Sequence, residues 1–227
     1  MNQSDEHREA VQVSVDVVLL TLVEQQLHAV LLRRQAAPFA GVWALPGGFI
    51  HTDEDADAKA SAARVLRTKV GIEGAYLEQL ATFSGPARDP RGWSVAIAYC
   101  ALLPVQNLPP DRADLSVVPL SAVPQLPFDH RAILDAALER VRSKSLYSSL
   151  PVHLCGETFT LPQLQQVYEN ILGEPLNKVS FRRKMDEMDW LEPVPGAMQG
   201  GGAHRPAQLY RAKPGFSQAL ALTARGL

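Results

Sequence analysis

The sequence predicts an α/β domain followed by a smaller helix-turn-helix domain with a β-wing. In the first part of the chain, runs of β-branched and apolar residues alternate with two segments of helical composition. In the second part, two short helical segments precede two short strands around a glycine-rich tip. A length of 227 residues suits two domains, and the change of pattern predicts them at residues 1–148 and 149–227.

Composition limits the class of protein. Of all residues 46% are apolar, yet the longest mostly apolar run, Val17–Val23, is too short to cross a bilayer. Met1–Ala10 is polar, without an apolar segment behind a basic start, so we expect no secretory signal, no membrane partner and a cytoplasmic location. Cys100 and Cys155 lack CxxC or histidine spacing, which indicates reduced, buried thiols rather than a zinc site or a disulfide.

Bulk charge is a weak guide to nucleic-acid binding in this chain. Residues 1–148 carry 14 Lys and Arg against 17 Asp and Glu, and residues 149–227 carry 8 against 7. Many DNA-binding domains are far more basic, so the case for DNA has to rest on local clusters of cations.

The first half of the α/β domain predicts a hairpin, a glycine turn and a helix. Val11–Leu22 and Leu27–Arg34 are largely β-branched and apolar, which predicts two paired strands, and Gln35–Trp43 has loop composition. After Gly47 and Gly48, the alanine-rich stretch from about Asp55 to Val70 predicts a helix that ends at Gly71.

The second half predicts another hairpin, a strand and a closing helix. Strands are expected at Tyr76–Phe83 and Trp93–Leu103, joined by a turn-rich segment at 85–92. Leu115–Leu120 predicts a short strand. Asp129–Lys144 carries apolar residues at helical spacing, which predicts the helix that closes this domain.

The C-terminal domain follows a helix, turn, helix and β-wing pattern. Thr160 and Gln163 have capping-box spacing before a helix that runs to about Leu172. Asn177 can cap the next helix, which is expected to end near Trp190 and to bury Val179, Phe181, Met185 and Met188. Leu191–Val194 and Ala207–Ala212 predict two short strands around the tip at 200–202.

A motif after the turn Leu45-Pro46-Gly47 resembles the signature box of the Nudix family. Five residues of the box occur here in the order that the family shows: Gly48, Glu54, Arg64, Gly71 and Ile72. The resemblance covers roughly residues 11–148 and implies a Nudix-type α/β/α sandwich with a mixed sheet. In that family three helix glutamates grip a divalent metal, and at their positions this chain has Val65, Thr68 and Lys69. Nine residues rather than seven separate Glu54 from Arg64.

Without those carboxylates, we expect a catalytically inactive domain with no catalytic residue, no metal site and no required cofactor. An alternative stays open, in which Glu54, Asp55 and Asp57 supply a displaced metal site. We interpret these three acids as partners of the dipole at the start of the helix. Lys69 would repel a metal ion, yet its ammonium can pair with a phosphate.

Several side chains are candidates for binding a nucleotide. The segment Arg88-Asp89-Pro90-Arg91-Gly92 resembles one in Nudix domains that handle ADP-ribose, although an ordinary polar hairpin loop is the alternative. Arginine forks suit a pyrophosphate, and Trp43, Phe49 or Phe83 can stack on a base or pack in the core. The predicted ligand set is Arg33, Arg34, Phe49, Arg64, Lys69, Arg88, Asp89 and Arg91.

The second helix of the C-terminal domain interleaves cations with apolar residues, so that one face can be buried and the other can be basic. This pattern is typical of a recognition helix in the DNA major groove. A flexible tip follows, from which two side chains can reach a minor groove or a phosphate. The predicted DNA contacts are Asn177, Lys178, Arg182, Arg183, Lys184, His204 and Arg205.

Both domains in order resemble the Nudix-related transcriptional regulators of NAD metabolism, the NrtR family. The C-terminal motifs that carry this resemblance are Phe159-Thr160-Leu161, Val167-Tyr168-Glu169, 181–185 and 205–210. The resemblance implies a homodimer that binds double-stranded operator DNA, represses NAD synthesis or salvage genes, and is released by ADP-ribose or a related nucleotide effector. Three alternatives stay open: an active hydrolase of ADP-ribose or another nucleoside diphosphate derivative, a sugar-responsive regulator, and a module that binds protein instead of DNA.

Overall fold

The computed structural model describes residues 10–200, 206–216 and 219–223. The strands are β1 Gln12–Val23, β2 Gln26–Arg33, β3 Trp43–Ala44, β4 Gly47–Phe49, β5 Tyr76–Gly85, β6 Ser94–Leu102, β7 Leu115–Pro119, β8 Leu191–Gln199 and β9 Ala207–Ala212. The α-helices are α1 Ala58–Val65, α2 His130–Ser145, α3 Leu161–Leu172 and α4 Lys178–Glu187. A π-helical turn, Leu66–Val70, continues α1, and a 3-10 turn, Leu150–Leu154, follows α2.

One mixed sheet organises the first domain. Its strands run in the order β3-β2-β1-β6-β5, with β4 paired to β1 and β7 paired to β2. The β1–β6 pair is parallel, and the other pairs are antiparallel. The predicted hairpins and the mixed sheet are confirmed. The two-residue β3 and three-residue β4 had no sequence signal, because neither is long enough to show alternation.

Helices cover both faces of this sheet. Because side chains alternate along a strand, Val18 and Leu20 of β1 pack against Ile133 and other residues of α2, whereas Val17 and Leu19 pack toward α1. All five are buried, as continuous apolar strands require. The predicted α/β/α sandwich is therefore confirmed.

The helix predicted at about 55–70 begins later and changes geometry. Asp57 is its N-cap, and the Asp57 carboxylate accepts a hydrogen bond from the Ala60 N–H at 2.7 Å. The last turn is π-helical and ends at Gly71, whose φ of 88° is left-handed, as expected of a glycine stop. Asp55 lies before the helix, and its carboxylate accepts hydrogen bonds from Arg64.

The C-terminal domain is a winged helix, as predicted. Thr160 and Gln163 form the expected capping box of α3, and the Asn177 side chain accepts hydrogen bonds from the N–H groups of Val179 and Ser180. Phe181 and Met185 of α4 are buried in the domain core. Two predictions were wrong: β8 extends to Gln199 rather than Val194, and Val179 is 76% exposed instead of buried.

Two stretches of chain connect the domains. The segment after α2 enters the winged helix, and residues 221–223 return to the same place. Ser149 N–H donates to Ala221 at 2.9 Å, and Thr223 N–H donates to Tyr147 at 2.8 Å. The Tyr168 hydroxyl of α3 donates to the Ser148 carbonyl at 2.8 Å, which fixes α3 to this junction.

Cys100 and Cys155 are buried free thiols, as the sequence predicted. Burial raises the pKa of each thiol to about 12. In the described ranges, no helix combines the length and the apolar character that a membrane crossing needs.

Candidate functional site

A cavity of about 740 Å³ opens between the π-helical turn, the β-strand ends and the start of α2. Its volume lies in the usual range for a small-molecule site. The structure brings all eight predicted ligand residues to its wall: Arg33, Arg34, Phe49, Arg64, Lys69, Arg88, Asp89 and Arg91. Trp43 and Phe83, the alternative stacking residues, instead pack against the core beside α2.

Arg88 is held by two carboxylates at the bottom of this cavity. Its Nε and Nη2 donate to Asp129 at 2.9 and 2.8 Å, and Nη2 also donates to Asp16 at 3.3 Å. Burial alone lowers the pKa of Arg88, but the bonds and charge of Asp129 outweigh it, so the net pKa shift is upward. Most donors of this guanidinium therefore bond to other side chains of the protein. Arg88 is better suited to hold Asp16 and Asp129 in position than to contact a ligand.

Arg91 and Phe49 form a surface at the cavity wall. Arg91 donates from Nε and Nη2 to the two oxygens of Asp89 at 3.0 and 2.6 Å. This pairing lowers the pKa of Asp89, so the carboxylate stays ionised and keeps the guanidinium oriented. The Arg91 guanidinium carbon lies 4.9 Å from the centroid of the Phe49 ring, which is 43% exposed.

Two neighbouring arginines are fixed by the loop after β2. Arg33 Nε donates to the Gly41 carbonyl at 3.0 Å, and Arg34 Nε donates to the Pro38 carbonyl at 2.8 Å. The Arg34 guanidinium carbon also lies 4.9 Å from the centroid of Phe128, just before α2. These contacts keep both arginines directed along the cavity rim.

The cations of the cavity repel one another. Desolvation and the charge of Arg91 lower the pKa of Arg34, while desolvation and the charges of Arg34 and Arg64 lower the pKa of Lys69. Lys69 Nζ donates to the Gly47 carbonyl. A bound anion would relieve this repulsion, so the electrostatics of the cavity favour phosphate or another anionic group.

The residues of the Nudix-like box do not fit a divalent metal. Residues 58–70, which form α1 and the π-helical turn, contain no aspartate or glutamate. Asp55 binds Arg64 through both oxygens at 2.7 Å, and this bond lowers the pKa of Asp55. Glu54 contacts His51 and Arg64, and Asp57 caps α1. No group of three or more potential metal ligands occurs in the part of the chain that the structure describes.

The sequence did not predict a largely buried pair in the cavity wall, Asp16 and His130. The Leu45 N–H donates to His130 Nδ1 at 3.1 Å, so the proton of the neutral imidazole lies on Nε2, 3.6 Å from Asp16 Oδ1. Burial lowers the pKa of His130, despite the charge of Asp16. A Cβ on Gly47 would stand 2.2 Å from Asp16 Oδ1, which explains the glycine there. Asp16 and His130 lie 114 residues apart in a sequence that has no motif joining them, so no local signal could find the pair.

The predicted DNA contacts of α4 and of its N-cap lie on the surface of the winged helix. Asn177, Lys178, Arg182 and Arg183 are exposed, and Lys184 is half-buried. Arg183 has only a weak ion pair with Glu187, at 3.6 Å between Nε and Oε1, with both side chains largely exposed. This arrangement leaves a basic surface that a polyanion can approach. His204 and Arg205, the predicted contacts of the wing tip, lie outside the described residues.

Comparisons with known proteins agree with both domains. The family model of the NrtR DNA-binding winged helix domain matches residues 151–212, and that of the NUDIX domain matches residues 11–139. The chain is 38% identical over 203 residues to the "ADPR responsive transcriptional repressor NtrR" of Acinetobacter baylyi, covering 87% of this chain and 80% of the relative.

Solved structures give the same result. The chain matches Shewanella oneidensis NrtR complexed with a 27mer DNA with a TM-score of 0.88 and 38% identity, over 95% of this chain and 99% of that one. It also matches the NUDIX domain of Shewanella oneidensis NrtR complexed with ADP ribose, with a TM-score of 0.55 and 38% identity, over 61% of this chain and 94% of that one.

Proposed function

This chain belongs to the NrtR family of Nudix-related proteins, and we propose that it is a DNA-binding transcriptional repressor whose Nudix domain binds ADP-ribose or a related nucleotide. The observation that carries the proposal is a cavity rich in arginine, without carboxylates on its helix, joined to a winged helix with exposed cations. The regulated genes would be those of NAD synthesis or salvage. Relatives of this kind bind DNA in one solved structure and ADP-ribose in another.

The cavity suits a nucleotide diphosphate. Arg34, Lys69 and Arg91 supply cations that repel one another until an anion is bound. Phe49 offers an exposed ring beside Arg91 on which a base can stack. In the proposal, the ligand is bound and not cleaved, because the described residues of the domain include no group of acids placed to hold the metal that would activate water.

The proposal also includes the domain boundary at residues 148 and 149, a cytoplasmic location and a homodimer. The boundary is supported by the position of Ser148, which follows α2 and accepts the hydrogen bond from Tyr168 of α3. A homodimer is supported by symmetry, because helix-turn-helix dimers bind two operator half-sites that are related by a two-fold axis.

Helix α2 is our candidate for the coupling between effector and DNA. Its first residues lie at the cavity, where Asp129 binds Arg88 and His130 binds the Leu45 N–H. Its last turn packs beside α3, and Ser148 Oγ donates to the Lys144 carbonyl at 2.7 Å. A ligand that changes the contacts at one end of this helix therefore changes the support of the winged helix at the other.

The test is a fluorescence-anisotropy titration of the full chain on DNA from upstream of NAD synthesis genes of its host, with and without ADP-ribose, in the absence of divalent metal. We expect specific binding that ADP-ribose weakens. Unchanged operator affinity at saturating ADP-ribose would contradict the repressor mechanism. Release of AMP on adding Mg²⁺ would support the hydrolase instead, and a response to sugar phosphates alone would support a sugar-responsive regulator.

A further inference from the structure

An apolar side chain lies at the centre of the basic surface of α4. Val179 is 76% exposed, the most exposed of the large hydrophobic residues that the structure describes. Phe181 and Met185 of the same helix are only 2% exposed. An exposed valine contributes little to the stability of a helix, because its side chain is not buried and valine is a weaker helix former than alanine. A partner that covers this side chain would bury its apolar surface.

The neighbours of Val179 indicate which partner that is. Arg182 and Arg183 follow it by three and four positions and therefore flank it on the helix surface, with Arg183 opposite the buried Phe181 and Met185 and Arg182 at the side of the helix. Both arginines are exposed. A surface that combines one apolar group with two guanidiniums matches the major groove, where phosphates flank base edges and thymine presents a methyl group.

The charge distribution along α4 fixes which end of the helix enters the groove. Cations lie within its first seven residues, at 178 and 182–184, whereas Asp186 and Glu187 are its last two. Phosphates attract the first part and repel the second, and the helix dipole acts in the same direction. Val179, the second residue of α4, therefore lies in the part that reads base edges in helix-turn-helix complexes.

We propose that Val179 is a specificity-determining residue that contacts the C5-methyl group of a thymine in the operator. The inference rests on the proposed DNA-binding function and adds to it the base and the atom that are recognised. An apolar contact with a thymine methyl gives sequence preference without a hydrogen bond, and it covers the exposed valine.

The probe is the duplex that the full-length wild-type protein selects from a random-sequence pool. Each thymine of this duplex is replaced singly by deoxyuridine, which removes only the methyl group. For the wild type, we expect one position in a half-site at which the replacement weakens binding about fourfold, the effect of losing one buried methyl. Val179→Ala is expected to bind the unmodified duplex several-fold more weakly and to be insensitive to uracil at that position.

The control is Val105→Ala, the same truncation of a valine that is 40% exposed and lies outside the winged helix. It is expected to keep both the affinity and the methyl sensitivity of the wild type. Val179→Ala is expected to fold, because alanine is the better helix former at an exposed position. Circular dichroism checks this point.

The outcomes separate the inference from the proposed function. If no duplex is selected, DNA-binding regulation is contradicted, and the inference with it. If a duplex is selected and Arg183→Ala weakens binding, yet Val179→Ala keeps the full methyl sensitivity or no thymine responds to uracil, the inference alone is overturned.

Discussion

Arg88 binds Asp129, the residue that immediately precedes α2, through two hydrogen bonds of 2.9 and 2.8 Å. The contact joins the loop after β5 to the start of a helix 41 residues later in the chain. Because Arg88 also binds Asp16 of β1, one guanidinium connects the sheet, the loop and the helix beneath the cavity. The start of α2 is therefore held by an interaction that lies within reach of a bound ligand.

Removing the Arg88 side chain is expected to destabilise the protein strongly. Arg88→Met leaves Asp16 and Asp129 without their counter-charge in a largely buried place, which costs about 3 kcal/mol of unfolding free energy. The double variant Arg88→Met, Asp129→Asn is expected to recover part of the loss. Urea denaturation measures both. Arg131→Ala, which removes an exposed ion pair with Asp135, is the control and is expected to change stability by less than about 0.5 kcal/mol.

Arg91 is expected to contribute to effector affinity and not to DNA affinity. Arg91→Ala removes a guanidinium that faces the cavity and an exposed Phe49 ring, so ADP-ribose should bind about 10- to 100-fold more weakly. Isothermal titration calorimetry measures the loss. Arg67→Ala serves as the control, because Arg67 is exposed on the π-helical turn and does not line the cavity. Equal affinities of both variants for ADP-ribose would remove Arg91 from the proposed site.

The affinity for operator DNA is expected to fall steeply with salt. Exposed cations of α4 that contact phosphates release counterions on binding, so the logarithm of the affinity decreases linearly with that of the salt concentration. Lys178→Met should reduce this slope by about one for each copy bound. Lys59→Met, which removes an exposed cation of α1, should leave the slope unchanged. A salt-independent affinity for DNA in the wild type would contradict phosphate contacts by these cations.

Stability is expected to decrease in mild acid. His153 stacks on Tyr76 with ring centroids 4.3 Å apart, and burial lowers the His153 pKa to about 4. The folded state thus prefers the neutral ring. The full stability is present above the unfolded pKa of about 6.5, and up to about 3 kcal/mol is lost as the pH falls toward 4.

His153→Phe tests this titration, because a phenyl ring can keep the stacking on Tyr76 and cannot be protonated. Urea denaturation between about pH 7 and about pH 4.5 should show a flatter profile for the variant. The unfolding free energy of the variant should still depend on pH to some extent, since burial also lowers the pKa of His130. Identical profiles for variant and wild type would show that the His153 pKa is the same in the folded and unfolded states, which contradicts the expected lowering.

Local signals in the sequence predicted the framework well. The helix expected at 129–144 is found at His130–Ser145, because its apolar residues repeat at helical spacing over four turns. The helix end at Gly71 and the Thr160–Gln163 capping box could be predicted, since each depends on residues close in sequence. Val179 was placed in the core by the same periodicity, which cannot tell an apolar residue that packs inside from one that faces a partner.

The candidate site was predictable only in part. The arginines of the segment 88–91 belong to a continuous motif, and the structure brings them to the same cavity as Lys69. Asp16 of β1 is far in the chain from Phe128 and His130, and it meets His130 only when the sheet and α2 are assembled. Residues that support a site from beneath leave no spacing pattern, because their proximity is a property of the fold.

The return of residues 221–223 to the junction has a mechanical consequence. A domain attached by a single covalent connection can swivel about that connection. Here a second contact lies beside the covalent connection, since Thr223 N–H donates to the Tyr147 carbonyl next to the hydrogen bonds that Ser149 and Ala221 exchange. Two contacts side by side resist rotation of one domain relative to the other. We therefore expect less rotation of the winged helix, which carries α4, relative to the end of α2 than a single connection would allow.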